Sequence, residues 1–272
     1  MNILDKIIAQ KHVEVAEKKS LVPAKMLEKS IFFDGQVVSM KKYVYDPEKS
    51  GIISEFKRKS PSKGLINGAA SVEAVSIGYM QAGASALSIL TDTDFFGGSN
   101  ADLKEARKFN FCPILRKDFI VDEYQILEAK SIGADCILLI AAALDPSRLK
   151  ELAAFAKSLG LEILMEVHDG EELERSLCDE LDLVGVNNRN LKTFDVSLQT
   201  SLDLVDKIPG DFVKISESGI SDPATLITLK KAGFDGFLIG ENFMKSSRPE
   251  QAAYNFIKEY KQLLAKESTV SI

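Results

Sequence analysis

Cysteine is scarce in this chain, and its placement excludes most cysteine chemistry. Cys112, Cys136 and Cys178 form no CxxC, cannot all pair, and lie in apolar or helical contexts. A reduced, cytoplasmic protein is the simplest expectation. Histidine is scarcer still: His12 and His168 stand far apart and neither heads a ligand motif, so no metal site is expected. The 34 Lys and Arg are dispersed without a tract and are outnumbered by 40 Asp and Glu, for a formal charge of -6. That balance argues against a nucleic-acid partner. The longest apolar run, 137–144, falls well short of the ~20 residues that span a bilayer. The N-terminus is charged from Asp5 onward and shows no export signal. No GxGxxG follows the first strand candidate, so the usual mark of an open dinucleotide-binding sheet is missing.

What the chain has is a rhythm. Short runs rich in Val, Ile and Leu recur at 51–56, 86–90, 113–116, 136–141, 162–167, 183–187, 212–216 and 235–240. Between them lie stretches of helical periodicity, among them 72–81, 123–131, 146–159, 171–177 and 224–231. Several of these close on a glycine just before the next strand, at Gly83, Gly133, Gly160 and Gly233, where the left-handed conformation can end a helix. The strand candidates are almost continuously apolar, as expected when both faces are covered. Eight strand-and-helix pairs in 272 residues predict one (β/α)8 barrel over 51–272. A length rule of about 150 residues per domain would suggest two domains, but barrels of this size form one and no linker divides the chain.

Residues 1–50 precede the first strand and are read as a helical extension packed on the barrel. Ile3, Leu4, Ile7 and Ile8 make an apolar stripe among Asp5, Lys6, Lys11 and Glu14, which predicts an amphipathic helix. It could cap the barrel floor or flank the active-site mouth; its position ahead of the strand bearing Glu55 and Lys57 favours the flank. Residues 32–49 have weak periodicity and read as loop and short helix.

Working residues of such barrels lie at the C-terminal ends of strands. Here strand one exits through Glu55 and Lys57, strand three through Arg116-Lys117-Asp118 and strand five through Glu166. Strand six exits through Asn187, Asn188 and Arg189, and strand seven through Glu217 and Ser218. Glu55 and Lys57 share one face of their strand, because successive side chains alternate. Each charge alone has a structural explanation, but their repetition at strand exits predicts a shared mouth. Ser216-Glu217-Ser218-Gly219 and Gly240-Glu241-Asn242 follow strands seven and eight, where barrels frequently bind phosphate, and Ser60-Pro61-Ser62-Lys63-Gly64 could add a hydroxyl and a charge. Lys57, Lys117 and Arg189 suit a substrate with more than one negative charge, and the glutamates beside them suit proton transfer. A Schiff-base lysine competes with that reading, and spacing does not exclude it.

Several stretches carry a resemblance. They are Ser-Glu-Phe-Lys-Arg-Lys-Ser-Pro-Ser-Lys-Gly (54–64), Leu-Thr-Asp-Thr-Asp-Phe-Phe-Gly-Gly-Ser (90–99) and Leu-Arg-Lys-Asp-Phe-Ile-Val-Asp-Glu-Tyr-Gln (115–125). Met-Glu-Val-His (165–168), Gly-Val-Asn-Asn-Arg-Asn-Leu (185–191), Ser-Glu-Ser-Gly-Ile (216–220) and Phe-Leu-Ile-Gly-Glu (237–241) complete the set. In this order the chain from about residue 50 resembles the indole-3-glycerol-phosphate synthase family of tryptophan biosynthesis. The resemblance implies a (β/α)8 lyase, without a cofactor, that converts 1-(2-carboxyphenylamino)-1-deoxyribulose 5-phosphate to indole-3-glycerol phosphate. It implies that Lys117 is the general acid, Glu166 its acid-base partner in dehydration, and Lys57 the cation for the substrate carboxylate. Glu55 and Asn187 would orient these groups, with Arg189, Glu217 and Ser218 lining the same mouth. Ser60, Gly219, Gly240 and the backbone of Glu241 would contact phosphate, and Phe96, Phe119 and Leu138 would wall the anthranilate ring. Partners implied are the phosphorylated small molecule and weak contacts with other enzymes of that pathway, for a monomer or homodimer. Residues 32–50 and Asn67-Gly68-Ala69-Ala70 depart from the family pattern. The nearest rival enzyme reading is phosphoribosylanthranilate isomerase, and the rival from another class is a barrel that only senses a sugar phosphate. Two lysines beside two glutamates and the Ser-Pro-Ser-Lys-Gly loop argue against the first, and an intact set of proton-transfer residues argues against the second.

Overall fold

In a computed structural model that describes residues 2–270, the strand candidates pair in parallel and close on themselves. The strands are β1 (Ile52–Phe56), β2 (Ala86–Leu90), β3 (Ile114–Lys117) and β4 (Cys136–Ile140), followed by β5 (Glu162–Val167), β6 (Leu183–Asn187), β7 (Val213–Glu217) and β8 (Gly236–Ile239). Each pairs with its neighbours in chain order, and β1 closes the ring by pairing with both β2 and β8. This is the expected (β/α)8 barrel, and no predicted strand moves by more than two residues at either end. The glycines expected to end helices do so: Gly83, Gly133, Gly160 and Gly233 have φ of 98°, 89°, 75° and 110°.

Strand alternation divides the apolar residues into two cores. Outward side chains such as Ile52, Phe56, Ile89, Ile137, Val167 and Phe237 pack beneath the surrounding helices. Inward side chains such as Ile53, Leu115, Leu138, Leu164, Leu183, Ile215 and Leu238 fill the barrel axis. One step further along the same inward rows, apolar residues give way to Glu55, Lys117, Glu166 and Glu217, and on β6 the row passes Gly185 to reach Asn187. The axis is therefore oily below and charged at its C-terminal rim.

The first fifty residues serve both ends. Helix α1 (Ile3–Leu21) lies at the rim, where Ile3, Leu4 and Ile7 line the mouth, so the flank reading of this helix holds. A short α2 (Ala24–Leu27) follows, and α3 (Met40–Tyr45) plugs the floor with Met40 and Val44, both buried against Ile53, Ala86 and Val213. The start of α3 is held by Glu162 at the start of β5. Its carboxylate accepts bonds from Ser39 Oγ at 2.5 Å and from the N–H groups of Met40 and Lys41 at 2.6 and 3.0 Å.

The buried face of α1 corrects one detail of its stripe. Lys11 is not on the solvent side: it is 1% exposed, in line with Leu4, Ile7 and Val15. Its ammonium reaches Glu14 at 2.7 Å, Asp92 at 2.8 Å and Asp118 at 3.0 Å. Burial opposes its charge, but Asp118 and Asp92 outweigh that and raise its pKa well above the ordinary lysine value. Asp118 also meets Arg116 at 3.2 Å, and Arg116 meets Glu128 on α6 (Glu123–Ser131) at 2.5 Å. A continuous buried charge network thus ties α1 to the residues on either side of Lys117. Removing one member of such a network leaves its partners uncompensated. Lys11→Met is expected to destabilise the fold by about 3–5 kcal/mol, read as a lowered midpoint in urea denaturation. A midpoint unchanged from the parent would remove this network from the account.

Candidate active site

Three strands bring charge to one point. Lys117 at the end of β3 extends its ammonium to Glu217 on β7 at 2.6 Å and to Glu166 on β5 at 3.0 Å. Asn187 on β6 donates its side-chain N–H to the second oxygen of Glu166 at 3.1 Å. Around the ring, Lys57 meets Glu55 at 2.6 Å, and Ser88 donates to the other oxygen of Glu55 at 3.4 Å. These groups open into a cavity of about 590 Å³, a volume suited to a small organic substrate.

The cavity lining includes each residue to which the resemblance gives a role: Glu55, Lys57, Ser60, Phe96, Lys117, Phe119, Leu138, Glu166, Asn187, Arg189, Glu217, Ser218, Gly219, Gly240 and Glu241. Phe96 and Phe119 stand with ring centroids 5.8 Å apart, and Leu138 rises beneath from the barrel axis. Two other exit residues do not join them. Arg116 points outward and is fully buried, with Nη1 donating to the Gln125 carbonyl at 2.7 Å, because alternation turns it away from Lys117. Asn188 is likewise turned aside, donating to Ser216 Oγ and to the Ser218 carbonyl, both at 3.1 Å.

The shared ammonium governs the titration of its neighbours. Burial opposes the charge on Lys117, but Glu217, Glu166 and Glu55 outweigh it and hold the group as an ammonium well above the ordinary lysine range. Burial pushes Glu217 up to about 7, with repulsion from Glu166 and Glu55 adding to it and Lys117 opposing. Glu166 moves the other way. Burial works against its charge, yet Lys117, His168 and Asn187 keep it well below the usual carboxylate range. Burial and mutual repulsion, offset at Glu166 by Lys117, His168 and Asn187 and less fully at Glu217 by Lys117, thereby separate the two into an anion and a group titrating near neutrality.

Two glycines make room for the glutamates. A β-carbon at Gly185, on β6 opposite Glu166, would overlap Glu217 Oε1; one at Gly240 would press on the Glu55 carboxylate. At the exit of β7 the chain turns through two left-handed residues, Ser218 at φ 69° and Gly219 at φ 76°. The Ser218 conformation is strained for a residue with a side chain and sets the loop that borders the cavity.

The side chain of Glu241 faces Arg189 at 3.1 Å and Lys63 at 3.9 Å, so its carboxylate joins the rim charges as well as its backbone. Asn67, in the stretch that departs from the family pattern, donates to the carbonyls of Met244 and Ser246 at 3.2 and 3.0 Å, which ties the loop after β1 to the segment after β8. Sequence reading missed Phe194, Val196 and Lys245 of the lining, which lie in irregular loops with no periodicity to mark them. It also passed over His168, which stands behind Glu166. Among the described residues, no group of three or more His, Cys, Asp or Glu is arranged to hold a metal, and no helix is long and apolar enough to cross a membrane.

A closed parallel barrel whose rim pairs two lysines with three glutamates over an apolar-walled cavity defines a (β/α)8 enzyme of the acid-base kind. A family model described as indole-3-glycerol phosphate synthase matches residues 4–256. An indole-3-glycerol phosphate synthase of Bacteroides thetaiotaomicron is 49% identical over 257 residues, covering 94% of this chain and 98% of that protein. One of Burkholderia lata is 45% identical over 250 residues, covering 91% and 96%. This chain belongs to the indole-3-glycerol phosphate synthase family. Solved structures with the same fold include 3-hexulose-6-phosphate synthase from Salmonella typhimurium, with a TM-score of 0.60 at 13% identity over 78% of this chain and 98% of that one. A mutant tryptophan synthase alpha-subunit from Pyrococcus furiosus has a TM-score of 0.58 at 16% identity, over 80% and 99%. At such identities these two speak for the fold alone.

Glu217 gives the site a testable pH signature. A carboxyl whose folded pKa lies above its unfolded value stabilises the fold fully below about 4.5 and loses that contribution as pH rises through about 7. The stability of Glu217→Gln relative to the parent is therefore expected to improve between pH 4.5 and pH 7. Denaturant midpoints at the two pH values check it; a difference independent of pH contradicts the assignment.

Proposed function

We propose that this chain catalyses the ring closure, decarboxylation and dehydration of 1-(2-carboxyphenylamino)-1-deoxyribulose 5-phosphate to indole-3-glycerol phosphate, carbon dioxide and water. The observation that carries this reading is the Lys117 ammonium held between Glu166 and Glu217 in a cavity that also holds Lys57. Lys117 delivers a proton to the ribulose C2 oxygen as the ring carbon bearing the carboxylate attacks C2. Negative charge develops on that oxygen in the transition state, and an ammonium already in place meets it without reorganisation. A lysine kept protonated by two carboxylates suits proton donation and opposes the Schiff-base alternative, which needs the free amine.

Loss of carbon dioxide then breaks the bond from the ring to its carboxylate and returns that electron pair to the ring. Lys57, beside Glu55, is suited to hold that carboxylate until it leaves. Dehydration then breaks a C1–H bond and the C2–O bond: the C1 proton goes to Glu166, which returns a proton to the departing hydroxyl so that it leaves as water and the indole is complete. Glu166, an anion in the resting site, accepts a proton in this stage, with Asn187 fixing its direction. The phosphate belongs at the neighbouring exits of β7, β8 and β1, adjacent in the ring, where Ser60, Gly219, Gly240 and Glu241 border the cavity; Lys117 enters from β3 across the ring. Phe96, Phe119 and Leu138 supply the wall for the aromatic ring. Residues 1–50 act as one unit with the barrel in this reading, as a cytoplasmic monomer or homodimer. No cofactor takes part in the scheme.

Purified protein mixed with the carboxyphenylamino-deoxyribulose phosphate is expected to develop indole fluorescence, with or without a chelator. Absence of product, or product only without chelator, overturns the proposal. Lys117→Ala and Glu166→Gln are each expected to lower kcat by about 10²–10⁴, the range of a lost acid-base group, while circular dichroism stays that of the parent. Parental turnover in either variant refutes the role given to that residue.

A further inference from the structure

Behind Glu166, outside the cavity lining, stands a histidine that the proposed chemistry does not use. Strand β5 ends at Val167, so Glu166 faces the barrel axis while His168 lies one residue past the strand. Helix α8 (Gly170–Ser176) begins immediately afterwards, capped by Asp169, and puts Glu172 in its first turn. Glu172 Oε2 accepts the backbone N–H of His168 at 2.8 Å and meets the ring Nδ1 at 3.0 Å. The ring is thereby locked, and its other nitrogen points at Glu166 Oε1 from 3.4 Å. That Nε2 is buried and makes no hydrogen bond, and the Glu166 carboxylate is the anion within ion-pair reach of it.

We infer that His168 is a positioning residue for the reaction, clamped by Glu172 and holding the Oε1 end of Glu166 so that Oε2 stays on Lys117 at the cavity. The inference rests on the acid-base role proposed for Glu166. The groups facing the pair are Lys117 from β3, Asn187 from β6, Glu217 from β7 through Lys117, and Glu172 from α8. Oε1 accepts the Asn187 amide N–H at 3.1 Å and has the imidazole Nε2 3.4 Å away, so Oε2, on Lys117, is the oxygen left at the cavity for proton exchange. Burial works against a charged imidazole, but a carboxylate on each nitrogen outweighs it and raises His168 to about 10. The charge of the ring between the two carboxylates is one of the influences that keep Glu166 ionised. Neutral glutamine at this position keeps a donor and loses the charge.

The test uses the full chain with His168→Gln and, as a second route that leaves the ring in place, Glu172→Gln. Turnover of the carboxyphenylamino-deoxyribulose phosphate is expected to fall about ten- to a hundredfold in kcat with KM within about twofold, the scale on which groups that orient a working ligand act. Carbon NMR of the Glu166 carboxyl, assigned by its absence in Glu166→Gln, is expected to show its titration midpoint rising by about one pH unit or more in His168→Gln. An unmoved midpoint overturns the inference, as does an unaltered kcat in both variants. A kcat loss accompanied only by a lower melting temperature, with the midpoint unmoved, assigns His168 a packing role instead. Failure of the parent protein to turn over the substrate would instead count against the proposed function, and the carboxyl titration still decides whether His168 holds Glu166.

Discussion

The ammonium of Lys117 between Glu166 and Glu217 is the interaction on which the rest of the site depends. Three charges taken out of water are costly unless each has partners, and no single segment of this chain supplies them all. Lys117 comes from β3, Glu166 from β5 and Glu217 from β7, so the arrangement exists only when the barrel has closed. Each strand delivers its charge by the same device, a side chain facing the axis one step above the apolar layer. The oily lower axis is thus the foundation on which the charged rim is placed at fixed distances.

Closure alone would leave Lys117 on a mobile strand end. Its neighbours prevent this. Arg116 and Asp118 face the other way and are bound into the buried network that reaches Glu128 on α6 and Lys11 on α1. Alternation therefore divides one strand end: one side chain faces the cavity while those flanking it anchor the strand and the N-terminal helix together. The same helix contributes Ile3, Leu4 and Ile7 to the mouth, so anchoring β3 and enclosing the substrate space are consequences of one packing contact. At the opposite end, α3 closes the floor under the capping carboxylate of Glu162.

In the resting site the charges satisfy one another. Lys57 is on Glu55, Lys117 on two glutamates, and Arg189 on Glu241, which leaves few bare charges facing the cavity. In the proposed reaction an anionic substrate would exchange these internal partners for its own carboxylate and phosphate, which would couple binding and activation through the same side chains. Gly185 and Gly240 show how closely this is fitted, since a single methyl group at either would press on a glutamate.

Much of this was legible in the linear chain. The pattern located β2, β5, β6, α4 (Val72–Gln81) and α6 to the residue, because periodicity and terminal glycines are local signals that follow from backbone geometry. The charged cavity residues were legible too, because barrels place them at strand exits, whereas Phe96, Phe119 and Leu138 came only from the family resemblance. What was misread or passed over shares a cause: Lys11 read as a solvent-facing lysine, Arg116 and Asn188 read as mouth residues, the short helix expected within 32–49 showed no sign of being a floor plug, and His168 stood alone. Each depends on a partner distant in the chain, such as Asp92 for Lys11 or Glu162 for α3. Composition and spacing by themselves determined the barrel, its eight units and the residue types at its rim, since these are set by neighbours a few positions away. Only the tertiary structure decided which charges meet, which are turned aside and which carboxyl titrates near neutrality, because those outcomes depend on distances and burial that arise when the ring closes.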